Sequence, residues 1–154
     1  MASHLLFFSW GNLRMTAERR CTTDARRACI LVVDDEPLVA ALMADTLGLE
    51  GYEVETARNG REALKKIAGR SYDLILSDLQ MPELDGVGLY RELEQQHPRL
   101  LPRLAFVSGS TEVPEYASFC ERTAVSVLGK PFSVGDLHRL VQRCIQSVGL
   151  SNDG

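Results

Sequence analysis

No cysteine in this chain has a neighbour at a spacing that builds a disulfide scaffold or a zinc site. Cys21, Cys29, Cys120 and Cys144 form no Cys-x-x-Cys pair, so we expect reduced, partly buried thiols in a cytoplasmic protein. Basic residues are in deficit, with 17 Lys and Arg against 21 Asp and Glu for a net charge of −4. That balance gives no basic patch or stripe for nucleic acid. The apolar stretch Leu5-Leu6-Phe7-Phe8-Ser9-Trp10 is too short to cross a bilayer. Only His4 precedes it, where a secretory signal needs positive charge and a longer apolar core. We therefore expect no membrane and no direct nucleic-acid partner.

What is present is ordinary in amount and informative in order. The chain's 154 residues, 45% hydrophobic and 25% charged, are enough for one domain with an unstapled core. Residues 1–28 read as a poorly ordered leader. Residues 14–27 within it are mostly polar and include five arginines. From Cys29 onward, strand-like and helix-like patterns alternate. The apolar run 29–33 is followed by Pro37 at a helix start and by Leu38, Val39, Leu42, Met43, Thr46 and Leu47 at helical period. A short strand at 53–57 carries Glu53 and Glu55 around Val54, which suits a sheet edge. Asn59-Gly60 opens a second helix, and a strand at 73–77 follows.

A third helix over about 86–96 stops before His97-Pro98, because the residue before proline avoids helical backbone. A strand near 103–107, a short helix near 113–122 and a strand at 125–128 come next. The last helix, N-capped by Ser133, puts Val134, Leu137, Leu140, Val141, Cys144, Ile145 and Val148 on one side. Five such βα units imply an α/β fold, a doubly wound parallel sheet with helices on both faces. Apart from the second, the strands read as continuous apolar runs buried on both faces. We expect residues 149–154 to be a short tail, too few for an appended effector domain.

Four of the strand-like runs end in polar residues. Residues 29–33 lead into Asp34-Asp35-Glu36, residues 73–77 into Asp78, residues 104–107 into Ser108, and residues 124–129 into Lys130-Pro131. In an open parallel sheet these carboxyl ends share the edge where ligands bind. Packed carboxylates repel unless a cation neutralises them, and Mg²⁺ suits oxygen donors that also meet phosphate. A carboxylate can attack phosphorus. Lys130 could offset charge on one phosphoryl oxygen and Ser108 could bond another. The plainer readings are a helix cap for Asp34 and Asp35, turn formers at Asp78 and Ser108, and a solvated lysine at 130. Gly86 reads as permitting a tight start to its helix, and His97 and His138 read as exposed.

Across about residues 29–148 the chain resembles the receiver domain of bacterial two-component response regulators. The resemblance rests on Val32-Val33-Asp34-Asp35-Glu36-Pro37, Ser77-Asp78-Leu79-Gln80-Met81-Pro82-Glu83-Leu84-Asp85-Gly86, Phe106-Val107-Ser108-Gly109 and Gly129-Lys130-Pro131-Phe132. Each piece alone is weak, but four in order at strand ends are specific. The resemblance implies the flavodoxin-like strand order 2-1-3-4-5 and makes Asp78 the phosphoacceptor. It further implies Mg²⁺ bound by Asp35 directly, by Asp34 mostly through water, by Asp78, and by the backbone carbonyl of Gln80. Ser108 becomes the switch hydroxyl, Lys130 the phosphate-facing lysine, and the Lys130-Pro131 bond cis. Gln80 and Ser110 would tune the lifetime of the phosphoryl group.

The implied donor is a histidine kinase or phosphotransfer protein, and the implied output is a conformational change that binds or releases another, unknown protein. By this resemblance the domain is a signalling module, not an enzyme. One residue departs from the pattern. The family carries Tyr, Phe or His three residues before the lysine, and here that position is Val127. Signalling through the face of the fourth helix, fifth strand and fifth helix, which also serves many receivers as a homodimer contact, is thereby put in question. Residues 110–114 are an alternative mobile part. Two other functions stand beside the phosphoacceptor. One is a receiver-like interaction module that takes no phosphate. The other is an aspartate-nucleophile phosphatase, disfavoured because Gln80 stands where the second acid of an Asp-x-Asp pair would be. A stand-alone protein and the receiver of a hybrid kinase both fit.

Overall fold

The computed structural model describes residues 26–152, so Cys21 and the leader through residue 25 lie outside it. Five strands, β1 (Cys29–Val33), β2 (Glu53–Ala57), β3 (Leu74–Ser77), β4 (Leu104–Ser108) and β5 (Ser126–Gly129), form one parallel sheet in the order 2-1-3-4-5. Five helices connect and follow them: α1 (Pro37–Leu49), α2 (Gly60–Gly69), α3 (Gly86–Gln96), α4 (Pro114–Thr123) and α5 (Val134–Asn152). The fold is the flavodoxin-like one expected.

Alternation along the strands builds two cores. Ile30, Val32, Leu74, Leu76, Ala105 and Val107 face α1 and α5, where Met43, Leu47, Leu137, Leu140 and Val141 meet them. Leu31, Val33, Ile75, Leu104 and Phe106 face the other way, against Ala63, Ile67, Leu89, Leu93 and Phe119 of α2, α3 and α4. Strands buried on both faces need apolar residues at every position, which is why residues 29–33 and 74–76 lack polar side chains. Each fully buried Leu or Ile contributes about 1.5–3 kcal/mol.

Helix limits follow local chemistry. Pro37 starts α1, and Gly51, at φ 97°, lets the chain reverse after it. Asn59 Oδ1 accepts from the Glu62 N–H at 2.9 Å, capping α2. Ser133 and Asp136 cap α5 reciprocally, with Asp136 N donating to Ser133 Oγ and Ser133 N to Asp136 Oδ2, both at 3.1 Å.

The structure corrects several expectations. β5 is not buried on both faces: as the second edge strand it has exposed ends, Ser126 and Gly129, and half-buried Val127 and Leu128 between them, because it has one strand neighbour and little helix cover. The apolar set on α1 is divided, with Met43 and Leu47 inside but Leu38 and Leu42 exposed. Val134 is exposed as well. His97 and His138 are half-buried, and His138 Nδ1 lies 2.8 Å from Glu50 Oε1. A 3₁₀ stretch, Pro98–Arg103, fills the connection into β4, and α5 runs on to Asn152 through part of the expected tail. Of the leader, residues 26–28 are described. Arg26 pairs with Asp73 at 2.8 Å, and the Ala28 carbonyl accepts from Glu53 N–H at 2.9 Å.

Candidate functional site

Strand register brings the polar residues together. Val33 pairs with Ser77 and Ala57, so Asp34 and Asp78 leave adjacent strands at the same level. Their backbones stay tied to the sheet, Asp34 N donating to Ala57 O at 3.0 Å and Asp78 N to Val33 O at 2.9 Å. Ser108 ends β4 opposite Gly129 of β5, and Lys130 follows directly, its N–H donating to Ser108 O at 2.9 Å. The Lys130–Pro131 peptide bond is cis.

Lys130 is the hub. Its Nζ donates to Asp34 Oδ2 at 2.6 Å and to Asp78 Oδ2 at 3.3 Å. Asp34 and Asp78 are buried, Asp35 is exposed, and one carboxylate oxygen from each lies within 4.8 Å of the others. The second Asp34 oxygen accepts from Glu36 N–H at 2.9 Å. Asp34 is therefore not the side-chain cap of α1, whose N-cap residue Glu36 makes no side-chain cap bond. The second Asp78 oxygen accepts from Leu79 N–H at 2.7 Å. Two of the three carboxylates share one ammonium, which leaves an excess of negative charge in the cluster.

Burial pushes the Asp34 carboxyl above its ordinary range, although its bonds from Lys130 and Glu36 pull the other way. Burial alone would lower the Lys130 ammonium, but its bond to Asp34 and the charges of Asp78 and Asp34 outweigh this and the net shift is upward. A divalent cation would relieve the remaining acidity. Mg²⁺ takes oxygen ligands at about 2.0–2.1 Å, and the three carboxylates offer oxygens within 4.8 Å of one another. The donor set fits such an ion.

Ser108 is fully buried, and its Oγ accepts from Ser110 N–H at 3.1 Å. Ser110 Oγ in turn donates to Gln80 Oε1 at 2.9 Å, so the two expected tuning positions touch. Val127 is half-buried against the core that holds Phe106 and Phe119. Gly86 is needed for close approach: a Cβ there would come within 2.5 Å of the Asp78 carbonyl oxygen and 2.9 Å of Leu79 Cα. Sequence reasoning missed the Asp85 side chain. One of its oxygens accepts from Gly88 N–H at 2.8 Å and caps α3, while the other meets the Tyr116 hydroxyl at 3.3 Å. The cap could have been read from Asp85-Gly86-Val87-Gly88. The Tyr116 contact, 31 residues away, carries no local signal.

Strand order 2-1-3-4-5 reverses direction between β1 and β3, and the acidic residues gather at that switch point, as ligands do in doubly wound sheets. These features define a receiver-type α/β signalling fold. The sequence matches the response regulator receiver domain over residues 30–142, and the chain belongs to that family, the receiver module of two-component systems.

Similar curated proteins include the regulatory protein AtoC of Escherichia coli K12, 34% identical over 117 residues, which covers 76% of this chain and 25% of AtoC. Another is the DNA-binding transcriptional regulator NtrC of the same strain, 31% identical over 120 residues, with 78% of this chain and 25% of NtrC covered. The chain thus spans about a quarter of these relatives. Among solved structures, the chemotaxis protein CheY4 of Vibrio cholerae is 32% identical with a TM-score of 0.69, covering 77% of this chain and 98% of that one. No helix among the described residues is long and apolar enough to cross a membrane.

Proposed function

We propose that this chain is a phosphorylation-controlled receiver in which Asp78 accepts a phosphoryl group from a histidine kinase or phosphotransfer protein. The observation that carries this reading is the sharing of one ammonium, Lys130 Nζ, between Asp34 at 2.6 Å and Asp78 at 3.3 Å inside a cluster of three carboxylates. Asp78 Oδ2, the oxygen facing Lys130, attacks phosphorus. The bond from phosphorus to the donor nitrogen breaks, and the departing imidazole takes up a proton. Lys130 then turns its charge from the Asp78 carboxylate to a phosphoryl oxygen, while Asp34 keeps it in place. Ser108 rotates its hydroxyl to donate to another phosphoryl oxygen.

Asp34, Asp35, Asp78 and the Gln80 carbonyl would hold Mg²⁺, which when bound neutralises developing charge on the phosphoryl oxygens. The product is an acyl phosphate that hydrolyses, so the signal limits itself. The Gln80–Ser110 bond joins the two positions that would tune the lifetime of that acyl phosphate. Output is a change of shape read by another protein, in the cytoplasm, with no turnover of a substrate.

Intact-protein mass after incubation with acetyl phosphate, with and without Mg²⁺, tests the reading. A Mg²⁺-dependent phosphoryl adduct absent from Asp78→Asn supports it. No adduct under either condition leaves the receiver-like interaction module in its place.

A further inference from the structure

Val127 gives the chain neither a ring nor a hydroxyl at the position from which the family's aromatic follows the switch hydroxyl. A different side chain joins the phosphoacceptor loop to a helix on the protein's surface. Tyr116 lies in the first turn of α4, and its hydroxyl donates to Asp85 Oδ2 at 3.3 Å. Asp85 Oδ1 accepts from Gly88 N–H at 2.8 Å, so one carboxylate is held from α3 and α4 together. Asp85 is also mechanically close to Asp78. Gly86 N donates to Leu79 O at 2.8 Å, and the Gly86 backbone packs so tightly on the Asp78 carbonyl that a Cβ there would come within 2.5 Å. A shift of the Asp78 backbone therefore reaches Asp85 directly, because close-packed backbone does not absorb displacement.

The far end of this path is lightly held. Phe119 is the buried residue of α4, edge-on to Tyr90 at 5.0 Å and tilted against Phe106 at 6.1 Å. An open groove of about 350 Å³ between α3 and α4, lined by Asp85, Val87, Tyr116 and Phe119 among others, lies beside the Tyr116 ring, which is half-buried against the core. At 3.3 Å the hydroxyl bond is longer than the usual O–H···O range, so it can strengthen.

We infer that Tyr116 is the positioning residue that couples α4 to the phosphoacceptor loop, through a bond to Asp85 that tightens when Asp78 carries a phosphoryl group. This rests on the phosphoacceptor reading above. Ser108 drawn toward the phosphoryl group brings residues 109–113 with it, and the start of α4 follows toward Asp85. A bond that is stronger in one state stabilises that state. By linkage, losing it weakens the phosphoryl mimic by the factor lost from the coupling.

The test compares the full natural chain with Tyr116→Phe, which keeps the ring, using beryllofluoride and Mg²⁺ as the phosphoryl mimic. Amide chemical shifts of residues 79–81, 83 and 84 report the adduct, and those of residues 115–123 report α4. Tyr116→Phe is expected to form the adduct, to bind beryllofluoride roughly three- to tenfold more weakly, and to lose most of the α4 response. Equal affinity and an equal α4 response overturn the coupling, even if the variant melts at a lower temperature, because that is the signature of a purely structural contact. A natural chain that forms no adduct overturns the phosphoacceptor reading, and this inference with it.

Discussion

Replacing Gly86 by alanine adds one carbon where the structure has no room for it. The new Cβ would lie 2.5 Å from the Asp78 carbonyl oxygen, 2.9 Å from Leu79 Cα and 3.0 Å from Phe106 Cε1. Two of these atoms are backbone and the third belongs to a fully buried ring, so none can swing aside. Overpacking of this kind costs about 1–3 kcal/mol. The gain in helix propensity, at most about 1 kcal/mol in a helix interior, is smaller at the first residue of α3. A net loss of about 2 kcal/mol corresponds to a melting temperature lowered by roughly 5–10 °C in a domain of this size. Gly48→Ala is the matched control. Gly48 lies inside α1 with nothing within 4 Å of an added Cβ, so the same change there should stabilise by roughly 0.5–1 kcal/mol. Urea titrations followed by circular dichroism, read at constant m-value, measure both. A Gly86→Ala midpoint equal to that of the natural chain would refute the close approach of α3 to the Asp78 backbone.

Three further outcomes follow from the charges at the sheet edge. Lys130→Met leaves the buried Asp34 carboxylate without its 2.6 Å donor and should cost about 2–4 kcal/mol at pH 7 by urea titration. That loss should shrink as pH falls through the raised Asp34 pKa toward its ordinary value of 3.8, because a protonated carboxyl no longer needs the ammonium. Lys130 has a raised pKa in the folded chain, so its contribution is fully present below an unfolded pKa of about 10.4. It is lost only as pH rises through the folded value, which an alkaline melting series would register as a late decline absent from Lys130→Met. Asp78→Asn removes one of the two carboxylates that share the ammonium, within a cluster of three. It should raise stability by on the order of 1 kcal/mol without Mg²⁺, and isothermal denaturation showing a loss instead would contradict the excess of negative charge.

The fold was largely legible because strands buried on both faces announce themselves as apolar runs, and four of those runs stop at polar residues. Glu53 and Glu55 marked β2 as an edge. Nothing marked β5, since Val127 and Leu128 read the same in a central strand as in an edge strand, and only the strand order shows that β5 has one neighbour. Leu38 and Leu42 followed helical period as well as Met43 and Leu47 did, yet α1 turns the first pair to solvent. Periodicity gives a face, and packing decides how wide that face is. That Asp34, Asp78, Ser108 and Lys130 gather at one sheet edge was readable from their positions at strand ends. Their bonds were not: the choice of Asp34 as the closer partner of Lys130, across 96 residues, depends on how the β5–α5 connection folds back over the sheet. The Tyr116–Asp85 contact was invisible for the same reason, since Tyr116 follows helical spacing and has no polar partner nearby in sequence.

The most direct measurement is to locate the phosphoryl group. Treating the chain with acetyl phosphate and Mg²⁺, reducing any acyl phosphate with borohydride and mapping the peptides would convert a phosphorylated aspartate to homoserine. Homoserine at position 78 alone, absent when acetyl phosphate is omitted, is the result expected of a receiver whose phosphoacceptor is Asp78. Homoserine at Asp34 or Asp35, or none at any position while the chain remains folded, would contradict it.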